Sequence, residues 1–124
     1  MDSQDKPFPF MKTFVFAFTG ILTALKMERN MRFHFIVSII VVIGSFSFSI
    51  TKVEWVFVLF AIGGMFALEL MNTAIERVVD LITTEFHPLA KQAKDLAAGA
   101  VLVYAILSVV IGIVIFSPYV LKLF

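Results

Sequence analysis

The chain contains no cysteine, two histidines, four prolines and one tryptophan in 124 residues, and only 15% of it is charged. Without cysteine there is no disulfide, no thiolate nucleophile and no cysteine-ligated metal. His34 and His87 are too far apart in sequence to form a paired metal motif. The familiar phosphate-binding signatures are missing as well: there is no GxxxxGK[ST], no GxGxxG and no kinase catalytic-loop sequence. Any use of a nucleotide must therefore rest on another architecture. No basic tract points to nucleic acid, and a net charge of +1 says little about partners. The start of the chain is polar and its next apolar stretch is interrupted by Lys12 and Lys26, so no cleavable signal peptide is expected.

What is abundant is hydrocarbon. Hydrophobic residues make up 60% of the chain and the mean hydropathy is +1.01, well beyond a typical soluble domain. The length suits one domain. Three apolar runs, 33–50, 53–70 and 96–116, each approach the roughly 20 residues that a helix needs to cross a bilayer. The expected fold is an all-α integral membrane protein with transmembrane helices over about 33–50, 53–83 and 88–117. The mixed, phenylalanine-rich segment over about 10–32 reads as an N-terminal amphipathic helix lying in the interface. A polar lead precedes it. Segment 49–55 reads as a turn at the membrane surface, Pro88 as a helix start, and Pro118 as the exit of the last helix. Small glycines within the crossings suit close helix packing.

Lys6, Lys12, Lys26, Arg29 and Arg32 precede the first crossing, and Arg77, Lys91 and Lys94 lie between the second and third, against Lys52 and Lys122 on the other side. This bias puts the N-terminus and segment 73–95 in the cytoplasm and the C-terminus outside.

Glu69, Asn72, Glu76 and Asp80 continue the second apolar run on one side of a helix, because offsets of three, seven and eleven residues nearly superimpose at helical pitch. Carboxylates in hydrocarbon are costly, so they must share protons, meet cations or face a polar cavity. Glu69, about one turn inside the boundary, fits a general base, or else a packing carboxylate paired with another helix. Glu76 could hold a divalent ion or pair with Arg77. Glu28 and Arg32 form an i,i+4 pair that could bring Glu28 toward Glu76 in an oxygen-rich magnesium site, while Arg32 contacts phosphate or anchors its helix. Asn30 and Asn72 are phosphate-bridging or interhelical amides. Lys91 and Lys94 could neutralise phosphate charge, with Asp95 orienting a lysine or Asn72; Lys91 could equally be a snorkelling anchor. His34 and His87 read as structural or interfacial.

Two segments carry a resemblance. The dense run ELMNTAIERVVDLITTEFHPLAKQAKDLAAGAVL over 69–102, and ERNMRFH over 28–34 upstream, resemble the prokaryotic diacylglycerol kinase family of small membrane lipid kinases. The resemblance implies a homotrimer of three-crossing chains with active sites at subunit contacts near the inner face of a bacterial cell membrane. It further implies that Glu69 draws the proton from a lipid hydroxyl attacking the γ-phosphoryl of MgATP, that Glu28 and Glu76 bind Mg2+, and that Asn72, Lys94 and Asp95 organise the reacting phosphate. The pattern E-x-N-x-R-x-H resembles the Gram-positive branch, whose acceptor is undecaprenol. The branch that prefers diacylglycerol carries an acid where this chain has His34.

Two other classes fit the bare composition: a small oligomeric transporter using the acids as a cation path, and a scaffold subunit whose polar stripe only fixes helix association.

Overall fold

The computed structural model describes residues 9–124, so all but Pro9 of the expected polar lead lies outside the described residues. Four helices follow one another: α1 (Phe10–Met27), α2 (Arg29–Ser47), α3 (Lys52–Ile82) and α4 (Pro88–Leu121). Each is long and apolar enough to cross a membrane. At about 1.5 Å per residue the 31 residues of α3 and 34 of α4 exceed the roughly 30 Å of hydrocarbon. Their ends therefore project into the headgroup region or beyond.

The turn between α2 and α3 is built from backbone hydrogen bonds. Ile50 N–H donates to Ser45 O at 3.2 Å and Ser49 N–H to Phe46 O at 3.1 Å, the paired bonds of a Schellman helix end. Ser49 occupies the left-handed position at φ 51°, where glycine is the usual occupant. Thr51 then opens α3 with a capping box: its hydroxyl accepts from Glu54 N–H at 3.2 Å, and Glu54 Oε1 accepts from Thr51 N–H at 2.9 Å. The same Glu54 oxygen accepts from the Tyr119 hydroxyl of α4 at 2.5 Å. Beneath this polar clasp Ile50, Val58 and Ile115 form the main buried cluster, with Phe48, Trp55 and Tyr119 packed against it. One end of the bundle is thus tied across three helices.

At the other end His87 caps α4 by accepting from Leu89 N–H on its Nδ1 at 3.1 Å, and Pro88 takes the first helical position. Pro118 does not end the helix as expected. It lies inside α4, which runs on to Leu121. A proline there loses one hydrogen bond near the end of a helix, where little helix remains to be interrupted.

The most extensive packing joins α3 to α4. Tyr104 of α4 donates its hydroxyl to Phe60 O at 2.5 Å, and its ring lies where a Cβ on Gly64 would stand. Gly64 is therefore a packing glycine, and α3 passes through Gly63 and Gly64 without a break. Outside these contacts most large apolar side chains face outward. The accessible surface of 9583 Å² compares with roughly 6,700 Å² for a folded soluble monomer of this mass.

Gly64→Ala should drive the new methyl into the Tyr104 ring and destabilise the α3–α4 contact by about 1–3 kcal/mol. Gly63→Ala meets nothing within the chain. Thermal unfolding in detergent should show a lowered midpoint for the first variant and a near-native midpoint for the second.

Candidate active site

The acidic stripe occupies the C-terminal half of α3, and its members reach different neighbours. Glu69 is 4% exposed, and its Oε1 lies 3.2 Å from His34 Nε2 on α2. This contact is its one polar partner among the described residues. One turn further on, Asn72 Nδ2 donates to Glu76 Oε1 at 3.2 Å, while Asn72 Oδ1 is buried with no hydrogen-bond partner among the described residues. Thr73 is buried and lines a cleft with residues of α1. Asp80 faces α4, where Lys94 Nζ donates to its Oδ1 at 2.7 Å.

Counting outward from Thr51, His34 lies seventeen residues before it and Glu69 eighteen after it. An antiparallel α2–α3 hairpin brings such positions to one level, about 26 Å along the helices from the turn. The pair consequently sits at the end of the α2–α3 hairpin remote from that turn. The sequence reads His34 as structural or interfacial; the structure sets it against Glu69, a partner that this register count also finds.

The α1–α2 junction differs from expectation. The interfacial segment over 10–32 is not one helix: α1 stops at Met27, Glu28 is extended at φ −108° and ψ 120°, and α2 begins at Arg29. The i,i+4 pair of Glu28 with Arg32 is not formed. Glu28 Oε1 instead accepts from Arg77 Nη2 of α3 at 3.3 Å, and that nitrogen also approaches the Met27 sulfur at 3.8 Å. Arg32 turns back, donating from Nη1 to Leu25 O at 3.2 Å and Lys26 O at 2.8 Å, and so closes the open end of α1. Met31, in the first turn of α2, is fully buried. Glu28 therefore reaches Arg77 of α3 through the break between α1 and α2, which a continuous helix would not provide.

Lys91 and Asp95 pair along α4 at 2.5 Å, with both side chains more than half exposed. Such a pair adds little stability, about 0.3–0.5 kcal/mol. Asp95 does orient a lysine, and it is Lys91. Lys94 is turned toward α3 by Asp80. Asn30 is exposed on the first turn of α2.

No group of three or more His, Cys, Asp or Glu among the described residues could alone enclose a metal ion. Mg2+ bound with a nucleotide needs less, since it takes one or two carboxylates and completes its shell with phosphate oxygens and water. Glu76 and, through its orphaned amide oxygen, the Asn72 bound to it offer oxygen donors of that kind. The residues present fit the ion.

Beside the His34–Glu69 pair opens an apolar groove of about 400 Å³ between α2, α3 and α4. It is lined by His34, Phe33 and Phe66 toward this end and by Ile111 and Phe116 toward the other.

Comparison with known proteins accounts for this combination. The family described as prokaryotic diacylglycerol kinase matches residues 15–116. The chain belongs to that family. It is 50% identical over 121 residues to the undecaprenol kinase of Bacillus subtilis (strain 168), covering 95% of this chain and 98% of that one. It is 36% identical over 112 residues to a diacylglycerol kinase of Synechocystis, covering 90% of this chain and 64% of that one. A diacylglycerol kinase of Haemophilus influenzae is 32% identical over 102 residues, with 82% and 86% covered. Membership makes this an all-helical membrane lipid kinase with ATP as phosphoryl donor.

The Glu28–Arg77 contact ties the α1–α2 break to α3 and is partly exposed. A double-mutant cycle with Glu28→Gln and Arg77→Gln, read by thermal unfolding, should return a coupling of about 0.2–1 kcal/mol. A coupling of zero would show that the break is held by Arg32 and Met31 alone.

Proposed function

We propose that this chain is an undecaprenol kinase, transferring the γ-phosphoryl group of ATP to the terminal hydroxyl of undecaprenol to give undecaprenyl phosphate at the inner face of a bacterial cell membrane. The observation that carries this reading is the 50% identity, over nearly the whole of both chains, to a kinase of that name. The groove supports it. Its apolar walls suit a stretch of isoprenoid chain, and its end at His34, the partner of Glu69, would bring the hydroxyl toward that buried carboxylate.

In this reading Glu69 is the general base, and one of its oxygens remains for the acceptor hydroxyl while Oε1 stays with His34. The Asn72 amide, fixed by Glu76, and the Lys94 ammonium, aimed by Asp80, stabilise charge on the transferring phosphoryl group. Lys91 and Asp95 flank the nucleotide. Arg32 anchors α1 first and contacts phosphate second. Glu28 and Glu76 hold Mg2+, which when bound offsets negative charge on the ATP phosphates. The chain works as a homotrimer with three crossings per subunit and α1 at the interface. Its N-terminus and segment 73–95 face the cytoplasm, and its C-terminus faces outside. The outward-facing apolar surface supports both embedding and self-association.

The purified protein, reconstituted in bilayers with MgATP, should incorporate labelled γ-phosphate into undecaprenol in preference to diacylglycerol. Dominant phosphorylation of diacylglycerol would keep the kinase and reverse the acceptor, whereas transfer to neither would sink the reading. Glu69→Gln should nearly abolish transfer. Glu76→Gln should raise the magnesium concentration needed for half-maximal activity, and an unchanged magnesium dependence would remove Glu76 from the metal site.

A further inference from the structure

The base of this reaction is buried, and every turnover leaves a proton on it. A carboxylate 4% exposed cannot hand that proton straight to bulk water. Its one polar partner among the described residues is an imidazole that is itself partly exposed: His34 is 20% accessible at the side chain against 5% for Glu69, and their nitrogen and oxygen are 3.2 Å apart. We propose that His34 is the proton outlet of the site, taking from Glu69 the proton that the lipid hydroxyl gives up and releasing it to water. The proposal rests on Glu69 being the base.

Imidazole is suited to this task because it can accept on one ring nitrogen and lose a proton from the other. The step balances without another reagent. As the acceptor O–H bond breaks, its oxygen bonds to the γ-phosphorus, and the bond to the ADP oxygen breaks with its electron pair leaving on ADP. The proton passes to Glu69; the partly exposed ring exchanges with water to its Nδ1–H tautomer, accepts the Glu69 proton on the freed Nε2, and loses the Nδ1 proton to water, which restores the Nε2–H donor. Glu69 returns to the carboxylate and His34 to the neutral ring.

Few groups compete for the role. α3 presents Glu69 to His34, and the α4 residues lining the groove beside it, such as Ala105, Ser108 and Gly112, carry no charge. On α2, Arg32 is bound to the carbonyls of Leu25 and Lys26 on α1, and Glu28 is bound to Arg77. At the same end Glu76 is held by Asn72, and Asp80 by Lys94.

An outlet has a kinetic signature that a purely positioning residue lacks, because the first turnover starts from an ionised Glu69 and does not need it. His34→Ala in bilayers with undecaprenol and MgATP, followed by rapid quench, should give a first turnover near the native rate. A steady state slowed about 10²-fold should follow. The product burst should equal the number of active sites, and added imidazole should accelerate only the slow phase. His34→Gln, which keeps a hydrogen-bond donor, should show the same burst, and it provides the test if the alanine variant unfolds. Equal slowing of both phases, or native steady-state turnover in the glutamine variant, would overturn the outlet while leaving Glu69 as base. Native turnover in Glu69→Gln would instead overturn the base reading itself. Glu69→Gln should gain nothing from imidazole.

Discussion

A carboxylate inside an apolar helix needs a donor, because an ionised oxygen withdrawn from water without one costs several kcal/mol. His34 supplies that donor to Glu69 at 3.2 Å from a neighbouring helix. The contact sets the depth at which α2 and α3 must meet, and it requires the turn between them to hold one register. The Schellman bonds at Ser45 and Phe46, the Thr51–Glu54 capping box and the Tyr119 hydroxyl on Glu54 supply that register from the far end. A slip of one residue at the turn would rotate α3 by about 100° and carry Glu69 away from His34 into the lipid. Polar chemistry at the two ends of the hairpin is thus linked through the rigid helices between them.

The intervening stretch contributes differently. Lipid tails are as apolar as the side chains they touch, so burying leucine or phenylalanine between helices gains little there. That is why so few side chains are buried and why the specific α3–α4 contact uses a glycine and a tyrosine hydroxyl. Close approach at Gly64 and the bond to Phe60 O give two long helices a fixed rotation. That rotation also turns Lys94 toward Asp80.

Much of this was legible in the residues. Long apolar runs located the helices, Pro88 located the start of α4, and helical pitch aligned Glu69, Asn72, Glu76 and Asp80 because those signals are local. The break at Glu28 was not legible, since ERNMRFH holds neither glycine nor proline and each of its residues tolerates a helix. Only tertiary partners reveal it: Arg32 folding onto the α1 carbonyls, and Arg77 drawing Glu28 to α3. An i,i+4 spacing suggested a Glu28–Arg32 pair, but both side chains had stronger claims elsewhere. Pro118 misled in the opposite direction, because a proline near the end of a long helix has little left to interrupt.

The depth of Glu69 bears on a problem that any kinase must solve, which is to spare ATP from water. In the proposed reaction the base has hardly any contact with solvent, so the hydroxyl it can activate is one delivered along the apolar groove. Lys91 and Lys94, which the proposal gives to phosphate, lie further along at the N-terminal end of α4, where a water-soluble nucleotide can reach them. Donor and acceptor then approach from different solvents, and the base belongs to the lipid side. Burial that protects the nucleotide also traps the proton. A partly exposed imidazole against the base resolves that conflict without opening the site, since a proton can cross where a water molecule need not enter.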